Sequence, residues 1–198
     1  GSNVLISDNG FSGLVINTRK LNKIYKIEES LVVAMAGVTV KNLNRFLLKE
    51  SLSGLEFSSG LPGTVGGAVY MNARAYGREF ADVVEEVTVL TADCSVKKLK
   101  KDELNYSYKD SIFMKENLII FDVKLRLAKS RKIEIKKKYL ENLLDRKNKG
   151  QYKYPSAGCV FKNDYNNNII CGKLLDQMGL KGLSVGGAMV PDFHANFI

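Results

Sequence analysis

The sequence predicts an α+β fold in two units, each mixing sheet with helix. Three observations predict it. Short apolar runs and clean alternations bounded by turn residues read as strands. Three segments of helical spacing stand apart from them, one early and two in the second half. Near residue 128 a strand pattern gives way to a long basic helix, so the boundary is drawn there, between units 1–128 and 129–198. The chain has 198 residues, enough to bury a substantial core, and an ordinary globular composition with 45% hydrophobic and 26% charged residues.

In chain order, the apolar runs predict buried strands over 13–17 and 31–36. The pattern then changes to a helix over 39–50. Thr39 is the natural cap, and Val40, Leu43, Phe46 and Leu47 recur on one face. Residues 54–77 are rich in Gly, Ser and Pro; a structureless loop this long points to function. A hairpin is predicted over 83–90 and 95–99, turning at Ala92-Asp93. Residues 118–127 form a half-exposed strand with Phe121, Val123, Leu125 and Leu127 on its inner face. The second unit opens with a helix over 136–149, striped by Tyr139, Leu140, Leu143 and Leu144. A short strand over 157–161 follows. Next comes a helix over 170–180 with Leu174, Leu175 and Met178 inward, closed by Gly179 or Gly182. Strands over 185–190 and 195–198 end the chain.

Net charge is +9, with ten Lys/Arg against three Asp/Glu between residues 129 and 153. This basic stretch reads as a solvated helix face or as attraction for a phosphorylated substrate. No nucleic-acid motif accompanies it. The longest apolar run, 31–38, is too short to span a bilayer as a helix. Cys94, Cys159 and Cys171 are odd in number and fit no zinc spacing, and His194 stands alone, so neither a disulfide framework nor a metal site is expected. The reduced cysteines suit the cytoplasm.

The strongest chemical signal is GLPGTVGGAVYMNA over 60–73, with four glycines within eight residues. Such a segment lets bare N–H groups converge on an anion such as a phosphate. The spacing matches neither the G-x-G-x-x-G fingerprint nor a P-loop. The string resembles the diagnostic loop of the UDP-N-acetylenolpyruvoylglucosamine reductases, in which Gly-Leu/Ile-Glu leads into Gly-Ile/Leu-Pro-Gly-Thr/Ser-Val-Gly-Gly-Ala and Met-Asn-Ala-Gly-Ala-Tyr-Gly. Further segments resemble the same family in order: GSNVL at 1–5, YPSAGCVFKN at 154–163, GKLL at 172–175, GLKG at 179–182, GGA at 186–188 and HANFI at 194–198.

The resemblance implies an FAD-binding domain of the flavin oxidase and dehydrogenase type followed by a smaller α+β substrate-binding domain. It implies a flavoenzyme that takes a hydride from NADPH and reduces the enolpyruvyl ether of a UDP-sugar in peptidoglycan precursor synthesis. FAD contacts are then expected from Gly1, Ser2, Asn3 and Val4, and from Gly60, Pro62, Gly63, Thr64, Gly66, Gly67, Asn72 and Ala73. Cys159 stands where the family has a proton-donating Ser, and is expected to face the flavin ring. Lys109, after Tyr108, stands where the family has an active-site Arg. A thiol is a better acid than a hydroxyl, whereas lysine keeps the charge of arginine without its planar fork. Substrate contacts are expected from Tyr108, Lys162, Asn163, Arg146 and Gln151. Arg74 replaces a family Gly, a strained exchange if the position needs positive φ.

The family also has a strand–helix segment before Gly-Ser-Asn, and a final helix with a Glu that assists protonation. The expectation is therefore of a fragment that binds FAD poorly and is inactive alone. The whole protein is expected to be a monomer acting on a small-molecule UDP-sugar, with no nucleic-acid or membrane partner. Competing readings are another flavin oxidoreductase of the same fold, acting on an alcohol or amine, and an inactive binding protein.

Overall fold

The computed structural model describes all residues, 1–198. In chain order the elements are β1 (Ile24–Lys26), β2 (Leu31–Met35), α1 (Val40–Lys49), β3 (Leu52–Ser53), α2 (Val65–Tyr70), β4 (Arg74–Ala75), β5 (Arg78–Glu79), β6 (Val84–Leu90), β7 (Val96–Lys100), β8 (Ile119–Arg126), β9 (Ala128–Lys129), α3 (Lys132–Asn148), α4 (Cys171–Gln177), β10 (Ser184–Val185) and β11 (Ala188–Met189). The mixture of sheet and helix is the α+β class read from the sequence. The chain divides into two compact units, Val15–Leu143 and Gly1–Leu14 with Leu144–Ile198. The division falls within α3, whereas the sequence pattern changes at 128.

The larger unit is built on an antiparallel sheet ordered β1-β2-β8-β6-β7. Val32 and Ala34 of β2, Val87 and Val89 of β6 and Val123 and Leu125 of β8 enter the core, where Val40, Leu43 and Leu47 of α1 and Val65 and Val69 of α2 meet them. Helix α1 forms as its pattern dictates. The Thr39 hydroxyl accepts the Asn42 N–H at 3.1 Å, and the apolar face at 40, 43 and 47 is fully buried. The 54–77 segment is not structureless: it carries a 3₁₀ turn at Glu56–Ser58, helix α2 and the β4–β5 hairpin.

Five expectations need correction. Residues 13–17 are not a buried strand. Leu14, Val15 and Ile16 are exposed, because the β2 edge pairs instead with β1 and no strand offers the 13–17 backbone a partner. On β8, Val123, Leu125 and Leu127 face inward as expected, but Phe121 is exposed and Ile120 is buried. The register slips between Thr88/Asp122 and Val89/Ile120, and this bulge leaves Phe121 without a partner on β6 and turned outward. Helix α3 starts earlier than expected, and its inner side is Ile135, Tyr139, Asn142 and Leu143, while Leu140 and Leu144 are exposed. Polar bonds rotate it to this side: Ser59 Oγ donates to Tyr139 O at 2.7 Å, Asn142 Nδ2 to Glu56 O at 2.9 Å and Tyr76 Oη to Asn142 O at 3.1 Å.

In the smaller unit, Leu174 and Met178 of α4 are exposed and only Leu175 is partly covered, since this two-turn helix meets no sheet face. The expected strands there reduce to the β10–β11 hairpin and a single bridge, Cys159 to Phe197.

Candidate functional site

The glycine turn is held down by its own amides. Val65 N donates to Val38 O at 2.8 Å and Gly66 N to Ala36 O at 2.9 Å; Gly67 N reaches the capping Thr64 hydroxyl at 3.3 Å and Ala68 N the Thr64 carbonyl at 2.9 Å. Gly66 is required for this approach, because a Cβ there would lie 2.9 Å from Ala36 Cβ and 3.1 Å from Ala36 O. Four of the amides that the sequence offered to an anion are therefore spent in the fold. Gly63 and Thr64 differ. Gly63 takes φ +100°, its carbonyl accepts Val40 N at 3.1 Å, and neither its N–H nor that of Thr64 donates to another group of the chain. Pro62 beside them has no N–H and is exposed, as is Gly67. Two adjacent unspent donors in a left-handed turn fit a phosphate oxygen. Gly60 also takes positive φ, 73°.

Asn72 is fully buried and its amide is engaged at both ends. Nδ2 donates to Ser107 O at 3.0 Å and Oδ1 accepts Ala81 N at 3.0 Å. Its φ of 41° is one that asparagine tolerates better than most residues. The next residue, Ala73, is buried, its N–H donating to Ala68 O and its carbonyl accepting Phe80 N. Asn72 thus ties the exit of the glycine turn to the Ser107–Asp110 turn, whose tip is Tyr108-Lys109, with Lys109 at φ 55°. Ser111, also buried, ties the same loop to Tyr70 O at 2.7 Å. Arg74 takes the extended backbone of β4, not a positive φ, so the feared strain is absent. Its guanidinium lies 5.6 Å from the Tyr108 ring centroid. In this unit the structure brings the glycine turn's exit, Tyr108, Lys109 and Arg74 together. The neighbouring Tyr106 hydroxyl is buried without a partner, and burial pushes its pKa up.

The smaller unit gathers the other candidates. Cys159 is exposed and pairs with Phe197. Val160 N donates to Asn196 O at 2.9 Å. The buried Asn196 amide brackets Phe161, accepting its N–H and donating to its carbonyl, both at 2.9 Å. Asn163 Oδ1 accepts Cys171 N at 3.0 Å and its Nδ2 donates to Tyr165 Oη at 3.1 Å, while Lys162 O accepts the Cys171 thiol at 2.8 Å. The Lys162-Asn163 pair therefore holds the start of α4. Arg146 Nη1 donates to Gln151 Oε1 at 3.1 Å, so these two are also brought together. Gly1, Asn3 and Val4 are exposed and Ser2 is partly covered; a Cβ on Gly158 would stand 3.8 Å from Asn3 Oδ1. His194 is tilted over Phe197 with ring centroids 4.1 Å apart, and its Nδ1 accepts Asn196 N at 3.2 Å, which puts the neutral ring's proton on Nε2. Burial first, then Lys181 and Lys149, lower its pKa below the ordinary 6.5.

Asn196 is the residue that sequence reasoning missed. Its string, HANFI, was visible, but nothing in a sequence shows that a side-chain amide will bracket a peptide 35 positions away.

Residues 1–100 match the FAD binding domain family, more than half of the chain. The chain belongs to that family. Residues 150–198 match the C-terminal domain of UDP-N-acetylenolpyruvoylglucosamine reductase. Curated relatives of that description include one from Clostridium perfringens (strain SM101), 40% identical over 198 residues, covering 100% of this chain and 64% of the relative. Another, from Caldicellulosiruptor saccharolyticus, is 42% identical over 199 residues, covering 100% of this chain and 63% of the relative. A crystal structure of the reductase from Thermus caldophilus superposes with a TM-score of 0.75 at 38% identity, covering 87% of this chain and 62% of that one. The resemblance read from the motifs thus holds along the whole chain, and so does the order of an FAD-binding domain followed by the reductase-type C-terminal domain. The chain spans about 64% of the length of the curated relatives it matches.

Proposed function

We propose that the protein containing this chain is an FAD-dependent oxidoreductase that uses NADPH to reduce UDP-N-acetylglucosamine enolpyruvate to UDP-N-acetylmuramate. The similarity of the whole of this chain to about 64% of the length of reductases of that name supports the reading. Bound FAD would supply the hydride chemistry. Gly63 and Thr64, with their unspent amides, are the residues proposed to hold a flavin phosphate. Gly66 and Asn72 serve by fixing that turn.

Reduction of an enolpyruvyl ether builds negative charge on the carbon next to the substrate carboxylate. That charge needs cations nearby and a proton to finish. Lys109, with Arg74 stacked on Tyr108, supplies cations beside the glycine turn. Cys159 is the proposed proton donor from Sγ; it is exposed and free of any disulfide. Lys162 and Asn163 on the adjoining turn, with Arg146 and Gln151, are the proposed substrate contacts. The basic stretch around α3 suits an anionic UDP-sugar.

The test is an assay of the full gene product. The expected result is a yellow protein that oxidises NADPH only when the enolpyruvyl UDP-sugar is present. A yellow protein that ignores this substrate and oxidises an alcohol or amine instead would overturn the reading, as would a protein that takes up no flavin.

A further inference from the structure

Cys159 stands just before a bend at Val160 and Phe161 and joins the 194–198 segment through its bridge to Phe197, within which Val160 N donates to Asn196 O. A change of main-chain dihedrals at that bend would turn the thiol to another direction. Asn196, 4% exposed, accepts Phe161 N–H with Oδ1 and donates to Phe161 O with Nδ2. It acts as an added peptide unit that recognises one residue by both of its main-chain groups. Phe161 lies two residues after Cys159 and immediately before Lys162 and Asn163, which in turn hold Cys171 at the start of α4. Asn196 is itself held at its own N–H by His194 Nδ1.

We infer that Asn196 is a positioning residue that fixes the bend of the 159–163 segment and so the direction of the Cys159 thiol. The inference deepens the proposed function, and part of its test stands without that reading.

The first arm of the test needs no substrate or cofactor. Alkylation of Cys159 by iodoacetamide, followed site by site by mass spectrometry, is expected to be single-phase in the wild-type chain. In Asn196→Ala, and in Asn196→Asp, which keeps the acceptor but loses the donor to Phe161 O, it is expected to stay single-phase but to change in rate severalfold, as the freed bend samples conformations that interchange faster than alkylation. Alkylation of Cys94, remote in sequence, is expected to stay unchanged. The second arm uses rapid mixing of the full gene product. Flavin reduction by NADPH is expected to stay at the wild-type rate, while reoxidation by the UDP-sugar falls about 10–100-fold, the cost of a misplaced group. Wild-type alkylation kinetics in folded variants would overturn the inference. So would a parallel fall of both half-reactions, or two variants that fail to fold, since each outcome makes Asn196 a general structural residue. A wild-type protein that does not turn over the UDP-sugar, together with a changed alkylation rate in the variants, would refute the proposed function and leave the positioning role standing.

Discussion

Cys159→Ala in the full gene product is expected to lower turnover by about 10²–10⁴-fold, the usual contribution of a positioned proton donor. The loss should fall in one half of the reaction. NADPH needs no proton from Cys159 to reduce the flavin, so that rate and the flavin content should match wild type. Reoxidation by the enolpyruvyl UDP-sugar should carry the whole defect. Cys159→Ser should recover much of it, because the family resemblance implies a hydroxyl donor at this position. Stability should barely change, since the side chain is exposed and fills no core space. Stopped-flow absorbance of the flavin separates the two halves. Unchanged reoxidation in Cys159→Ala would remove the thiol from the chemistry.

Asn72→Ala is expected to be the most damaging small change near the glycine turn. It strips the acceptor from the buried Ala81 N–H, which water cannot reach, and the donor from Ser107 O. An unsatisfied buried donor costs about 1–3 kcal/mol. Alanine also tolerates the φ of 41° less well than asparagine. A loss of roughly 2 kcal/mol would lower Tm by about 4–8 °C in a chain of this size. Asn72→Asp keeps the acceptor for Ala81 but buries a carboxylate against the Ser107 carbonyl, so it should regain little of that at neutral pH. It cannot donate to Ser107, so hydrogen exchange across the Ser107–Asp110 turn should remain faster than in wild type. Equal Tm values for the alanine variant and wild type would show that the amide carries no structural work.

Much of the fold was legible because its signals are local. Thr39 followed by apolar residues at 40, 43 and 47 specifies α1 through one cap and one face. The GLPGTVGG string marked a turn that needs glycine, and Gly66 against Ala36 shows the physical need. What was illegible depends on partners distant in sequence. Alternation placed Phe121 inside, but a bulge set by β6 turns it out. A helical stripe put Leu140 and Leu144 inward, but hydrogen bonds from Ser59 and Asn142 turn another side of α3 to the sheet unit. An apolar run at 14–16 looked like a strand, yet a strand exists only where another can pair with it. The site follows the same rule. Its residue types were visible, but Asn72, read as a ligand contact, and Asn196, given no role, prove to hold the backbone at Ala81 and Ser107 and at Phe161.

The central claim is that the Gly63 and Thr64 amides, alone in the turn in being unspent, receive a flavin phosphate. Amide hydrogen exchange of the full gene product, followed residue by residue with and without FAD, tests it directly. The account predicts that Gly66 and Ala68 are protected in both states, whereas Gly63 and Thr64 become protected only when FAD is bound. Bound FAD with fast, unchanged exchange at both Gly63 and Thr64 would contradict it.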